Sequence, residues 1–271
     1  MKTPNLQKQR IIEYLREGKR FDGRKPHEQR KVEVKMNISE NAEGSCSVKM
    51  GKTEVYAGVK MSVVVPYPDN PDEGTFMTGM EMGPMADDDF EMGPPKIDAI
   101  ELGRVIDRGI RESGFIDFKK LCIKEKEKVW QVSLDLYAIN NDGNLFDVAS
   151  LASLIALASA KMPIYNEKEE KVEHELTKNP LPINKKDMSF NLTMHKIGDS
   201  LVIDPTREEE EISDYRLSVA IADMDGEARI TAMQKGKEGS INDEDMENIL
   251  KLIEDKHKEM YSKILKLVFG K

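Results

Sequence analysis

Three arginines set the first question of chemistry. In the stretch IDAIELGRVIDRGIRES, which ends at Ser113, Arg104, Arg108 and Arg111 recur at spacings of 4 and 3. Wound as a helix, they share one face, while Leu102, Val105, Ile106, Gly109 and Ile110 share the opposite one. Guanidinium forks along a ridge grip phosphate oxygens in pairs, so a nucleic-acid backbone is one ligand that such a helix fits. A plainer reading uses the same residues. Asp107 lies four before Arg111 and Glu112 four after Arg108, the spacing of ion pairs on a solvated helix face. Spacing alone leaves both readings open.

Other reactive groups are sparse. The 4 histidines form no cluster of zinc-ligand spacing, and His257 falls on the apolar side of the last helical pattern, as a packed or partly exposed residue. Methionines at 77, 80, 82, 85 and 92 supply soft thioethers, but no Cys or His lies among them. Phe76, Thr78, Met80 and Met82 alternate like a strand entering a loop, which assigns this cluster to packing. Cys46 and Cys122 sit in strand-like surroundings and read as small buried hydrophobes rather than a disulfide pair. No metal or cofactor is expected.

A chain of 271 residues with 39% hydrophobic and 34% charged content has enough apolar material for a large core. No apolar run reaches the ~18 residues of a membrane span, and the N-terminus lacks the apolar core of a signal peptide. A cytoplasmic protein is expected. The net charge of -9 excludes a protein that coats duplex nucleic acid with a broad basic face. Any contact with RNA must be local, such as a few arginines along a path. With 8 Phe, 7 Tyr and 1 Trp, an aromatic stacking platform is also excluded.

The elements that must hold these residues can be read in order. Thr3 and Pro4 suit the N-cap and first position of a helix whose apolar side is Leu6, Ile11, Ile12 and Leu15. Alternation over 31–38, 45–50, 53–65 and 129–139 predicts half-buried strands. Asn140 to Asn144 form a turn, and the Ala/Ser-rich run 147–162 suits a helix buried against a sheet. The charged, Pro-containing stretch 166–187 reads as a seam between halves. Strands follow at 188–196, 200–204, 215–221 and 228–234. Asn242 then caps a last helix with an acidic first turn and a buried side running from Met246 through Ile249, Leu250, Ile253, His257, Met260 and Tyr261 to Ile264.

Arg20-Phe21-Asp22-Gly23-Arg24 resembles the Arg-x-Asp-Gly-Arg opening of the RNase PH family. The order of strands, arginine helix, Asp-Gly turn, small-residue helix and late acidic segment is similar along nearly the whole chain. The helix before that opening, the ELGRVIDRGIRES stretch and the PTREEEE segment most resemble the non-catalytic RNase PH-like subunit of the archaeal exosome. The resemblance implies an α+β, RNase PH-like fold (ribosomal protein S5 domain 2-like) of two packed sheet-plus-helix halves. These would comprise an N-terminal helix at 1–19, a first half at 20–165, a charged connection at 166–187 and a second half at 188–271.

Active members of that family cleave RNA from its 3′ end with inorganic phosphate, which they hold with a hydroxyl residue and an Arg after an Asp-Gly-Gly-type turn. This chain has Asp142-Gly143-Asn144 followed by Leu145, Phe146 and Asp147. Phe146 stands in place of the Arg and Leu145 in place of the hydroxyl, while Asp147 is expected to repel an anion at the helix end. The family's second signature, aspartates six apart, becomes Asp204 and Glu210, with Asp214 only four further on, and the run of Glu reads as a solvated loop.

The resemblance therefore implies a non-catalytic subunit in a six-membered ring of three heterodimers with a catalytic RNase PH-like partner. RNA-binding cap subunits would complete the complex, and Arg104, Arg108 and Arg111 would contact single-stranded RNA, Arg111 less freely because Asp107 competes for it. The alternatives are an active phosphate-dependent 3′-5′ exoribonuclease and an adaptor that makes no RNA contact.

Overall fold

Alternation gives the early strands an apolar face; the strands pair edge to edge through their backbones, and packing against helices buries the face they share. In the computed structural model, which describes residues 3–270, β1 (Val32–Met36), β2 (Gly44–Met50), β3 (Thr53–Val64), β4 (Thr75–Met82) and β6 (Lys128–Asn140) form a sheet ordered β1-β2-β3-β6-β4. The short β5 (Cys122–Lys124) pairs with β6. Only β4 runs parallel to its neighbour within this sheet. A second, antiparallel sheet combines β9 (Ser189–Ile197), β10 (Ser200–Ile203), β11 (Tyr215–Met224) and β12 (Glu227–Gly236) in the order β10-β9-β11-β12.

Two helices fill the space between the sheets. α2 (Ile97–Ser113) packs on β4 and β12, and α3 (Leu145–Ser159) packs on β2, β3 and β9. Pressed from both sides, α3 is buried at every position from Leu145 to Leu157, which is why it is apolar all round. α2 keeps one wet face and approaches both sheets through glycines. A Cβ on Gly103 would lie 3.4 Å from the Thr78 carbonyl oxygen, and one on Gly109 would lie 3.1 Å from the Ala220 Cβ. The resulting core is continuous from Cys46 and Val48 through Leu134 and Ile155 to Leu217 and Ile253. α5 (Asp243–Phe269) closes the second half, and the Asn242 side chain accepts the Asp245 N–H at 2.7 Å as its cap. No helix among the described residues is long and apolar enough to cross a membrane.

Several expectations are corrected here. Thr3 does not cap α1 (Asn5–Arg16); Pro4 holds the cap position, and Thr3 donates from N–H and hydroxyl to Glu211 at 2.8 and 2.6 Å. Leu6 is exposed, so α1 docks through Ile11 and Leu15, against Ile197, Val202 and Ile212. The small-residue helix starts at Leu145 and ends at Ser159, and its expected tail enters β7 (Lys161–Asn166). The charged seam folds as a hairpin of β7 with β8 (Lys171–Pro180), its polar residues facing water on both sides. Only Met80 of the five methionines is fully buried, whereas Met77, Met85 and Met92 are exposed. Cys46 is buried as expected, but Cys122 is only partly so. On α5, Leu252 rather than Leu250 faces inward, and His257 is buried with Nε2 3.0 Å from the Asp223 carboxylate.

Candidate functional site

The Arg-x-Asp-Gly-Arg opening is structural, and it fixes everything around the α3 N-terminus. Arg20 reaches across to the second half, pairing its guanidinium with the Glu209 carboxylate and donating to the carbonyls of Ile203 and Asp204 at 3.1 and 2.8 Å. The Asp204 side chain is wholly buried and gathers four donor groups: Arg24 Nη1 at 2.8 Å, Arg30 Nη2 at 2.6 Å, the Arg30 N–H at 2.7 Å and Asn144 Nδ2 at 2.9 Å. Burial alone would raise the Asp204 carboxyl, but the Arg30 hydrogen bonds and charge outweigh it and hold the group below its usual range. Gly143 completes the join. Its φ of 86° is left-handed, and a Cβ there would lie 2.4 Å from the Pro205 carbonyl oxygen.

This clamp brings the acidic segment onto α3. Residues 207–212 are a short helix, α4 (Arg207–Ile212), with Thr206 and Glu209 forming a reciprocal capping box. The solvated-loop reading is thereby corrected: Glu209 is buried on Arg20, and Glu210 turns inward with its side chain about 26% exposed. The Glu210 Oε1 accepts the Asn144 backbone N–H at 2.7 Å. A carboxylate from the chain itself thus occupies the helix end, where free N–H groups and the helix dipole favour an anion. Burial raises the Glu210 carboxyl to about 6, opposed by the Asn144 N–H and by the charges of Arg216, Lys237 and Arg30.

Asp147 does not play the part expected of it. Its side chain is buried against β9, away from solvent, with neither carboxylate oxygen in good hydrogen-bond geometry. Burial pushes this carboxyl up to about 7, despite Thr193 and Asn144, which favour the charged form. Phe146 is also more than an apolar block. The Arg216 guanidinium, from β11, lies 4.0 Å above its ring centre and pairs with Glu101 on α2 at 2.7 Å. Arg216 thus brings a cation to the place where the family's own Arg is missing. Beside Glu210, the buried His195 donates from Nδ1 to the Ser213 hydroxyl at 3.0 Å, since that hydroxyl donates to the Glu210 carbonyl at 2.8 Å. Burial, with Lys237 and Arg216 nearby, holds the imidazole well below its usual value and therefore neutral. None of these partners was legible in advance, because β11, the stretch after β12 and α3 meet only in three dimensions.

The arginine face of α2 splits in two. Arg111 is held in place by Asp107, with bonds of 3.0 and 2.9 Å, and it donates to the Phe76 carbonyl at 2.9 Å while lying over the Phe76 and Phe118 rings. It therefore covers a carbonyl on the edge of β4. Arg104 and Arg108 are exposed and make no ion pair or hydrogen bond with any described residue, so the spacing of Glu112 to Arg108 yields no bridge. Both line two adjoining grooves, one of about 240 Å³ toward Met233 of β12 and one of about 450 Å³ toward Met77 of β4. Among the described residues, no three His, Cys, Asp or Glu side chains converge as a metal site.

Comparison with known proteins bears on this geometry. Residues 28–163 match domain 1 of the 3′ exoribonuclease family, of RNase PH type, and residues 187–253 match its domain 2. A Thermococcus kodakarensis protein named exosome complex component Rrp42 is 40% identical over 266 residues, 97% of this chain and 96% of its own length. A Methanothermobacter thermautotrophicus protein of the same name is 42% identical over 244 residues, covering 90% of this chain and 88% of its own. The fold superposes with a TM-score of 0.86 and 36% identity on a chain of the Archaeoglobus fulgidus exosome with RNA bound to the active site, over 96% of this chain and 98% of that one. A chain of another structure, described as the archaeal exosome core, gives a TM-score of 0.80 at 35% identity, over 95% of this chain and 97% of that one.

Proposed function

Because the chain belongs to the 3′ exoribonuclease family of RNase PH type, we propose that it is the non-catalytic ring subunit of an archaeal-type exosome, working in the cytoplasm to degrade RNA 3′ to 5′ by phosphorolysis. The observation that carries this reading is the N-terminal end of α3. A phosphate-dependent nuclease needs an open cationic cradle there, and here Glu210 fills it, with Leu145 and Phe146 replacing the hydroxyl and the guanidinium. An attacking phosphate would have to displace an internal carboxylate that is already hydrogen-bonded.

The chain's own contribution lies on α2. Arg104 and Arg108, unpaired and exposed, offer two guanidinium forks to the phosphates of single-stranded RNA. Arg111 contributes by holding the edge of β4, and its Asp107 clasp leaves it less of its charge to offer. The exposed apolar side chains flanking the pair, Met77, Ile97, Ile100 and Met233, suit contact with a catalytic RNase PH-like partner, so RNA would run beside a subunit seam. Three such heterodimers close a six-membered ring, and cap subunits with RNA-binding modules supply the broad affinity that a chain of net charge -9 lacks. The free state of Arg104 and Arg108 favours this reading over a pure adaptor.

The test is reconstitution. Mixed with a catalytic partner, the chain should form a ring of three heterodimers by native mass and bind RNA. Arg104→Glu with Arg108→Glu should leave that mass unchanged and weaken RNA binding by at least about tenfold, as expected for two lost phosphate contacts. Assembly with unchanged RNA affinity would reject the arginine face.

A further inference from the structure

Arg104 has a carboxylate within helical reach on each side and pairs with neither. Glu101 lies three residues before it and Asp107 three after, a spacing at which acidic and basic side chains meet on one helix face. Both carboxylates are engaged elsewhere. Asp107 holds Arg111, at 3.0 and 2.9 Å. Glu101 Oε1 accepts from Arg216 Nη2 of β11 at 2.7 Å and from Gln234 Nε2 of β12 at 3.2 Å. Arg104 stays exposed, with no ion pair to any described residue, in the same groove of about 240 Å³ that Glu101 and Gln234 line.

The Arg216 guanidinium is closely confined. It lies 4.0 Å above the Phe146 ring centre. A Cβ on Gly236, its partner in the register of β11 with β12, would lie 2.5 Å from the Nη2 that holds Glu101. The Arg216 side chain is only 14% exposed, so its pair with Glu101 forms at little further loss of side-chain freedom. An Arg104–Glu101 pair would instead have to order a long, exposed side chain in water, where ion pairs are weak. Arg216 therefore wins the competition for Glu101.

We propose that Arg216 is a positioning residue for RNA: by capturing Glu101 it keeps Arg104 free, so the charge that α2 offers to a phosphate is set from β11. The inference rests on the reading of Arg104 and Arg108 as RNA contacts. It adds that the freedom of Arg104 is imposed by the second half of the chain, because helix spacing alone favours its pairing with Glu101. Phe146 takes part, since its ring is the surface on which the Arg216 guanidinium rests.

RNA binding by the reconstituted ring tests this. Arg216→Met, which releases Glu101 to Arg104, should bind single-stranded RNA about threefold more weakly than the wild type. The slope of log affinity on log salt should fall by about 0.7, the loss of one phosphate contact. Gly236→Ala displaces the guanidinium without changing the net charge and should weaken binding in the same sense; it also serves should the Arg216→Met chain fail to fold. Adding Glu101→Gln to either variant should restore binding. Glu101→Gln alone breaks the same ion pair and should not weaken binding, whereas a pair that only braced α2 against β11 would make it cost as much as Arg216→Met. On the whole chain without partner or RNA, the Arg104 Nε–Hε resonance should shift in either opened variant and return once Glu101→Gln is added. Wild-type RNA affinity, or an unmoved Arg104 resonance, in the folded Arg216→Met and Gly236→Ala chains overturns the inference. Arg104→Glu with Arg108→Glu separates the two failures. Loss of RNA there with no effect at Arg216 rejects the role of Arg216 alone, and no loss there rejects the arginine face and this inference with it.

Discussion

At the scale of single residues, two carboxyls with raised pKa values divide the work. Asp147 climbs from an ordinary 3.8 to about 7 because it is buried without a good donor. A carboxyl raised in the folded state binds its proton more tightly there than in the unfolded chain. Its contribution to stability is therefore full below about 4 and lost as the pH rises through about 7. Asp147→Asn, which mimics the neutral form, should be more stable than the wild type at pH 8, by an amount on the order of 1–4 kcal/mol, and should match it near pH 4. Denaturant melts across that range check this, and an equal loss in both chains would refute it. Glu210, raised to about 6 by burial, carries the same sign over a narrower window. Some pH dependence should therefore persist in the Asp147→Asn chain.

The elements are tied by a charged strap that joins the two halves. Arg20, Arg24 and Arg30 from the first half converge on Asp204 and Glu209 of the second, all but free of solvent. Breaking a buried pair strands its partner's charge. Asp204→Ala or Arg20→Ala should accordingly cost about 3–5 kcal/mol, and denaturant unfolding would measure it. A loss under about 1 kcal/mol would mean that the strap is incidental. Gly143→Ala acts on the same joint by sterics. With φ at 86° and a carbonyl 2.4 Å from the new Cβ, the turn must shift, and a destabilisation above about 2 kcal/mol is expected. If the alanine chain melts with the wild type, the turn is looser than its geometry implies.

Much of this was legible in the chain itself, and the misses have physical causes. Alternation located the strands, and the 3–4 spacing of apolar and arginine residues located the α2 helix, because one-sided burial writes a period directly into the sequence. The Arg-x-Asp-Gly-Arg motif was legible as a family mark, yet its role as a strap was not, since Asp204 and Glu209 lie about 180 residues further along the chain. The four glutamates read as solvated because no local pattern distinguishes Glu209 and Glu210, which face Arg20 and the α3 end, from Glu208 and Glu211, which face outward. Position in the first turn points to Asp147 as the repelling charge, whereas the fold buries that side chain and brings Glu210 to the helix end in its place. Arg216 had no signal at all: its significance depends on Phe146, 70 residues earlier in the chain.

For the whole molecule, the proposed function has this chain bring RNA to chemistry that it does not itself perform. The most direct measurement is release of nucleoside diphosphates from a 3′-labelled single-stranded RNA by the purified chain in the presence of inorganic phosphate. None is expected from the chain alone, and phosphate-dependent release is expected once a catalytic RNase PH-like partner is added. Steady release by the pure chain, abolished when phosphate is withheld, would contradict it.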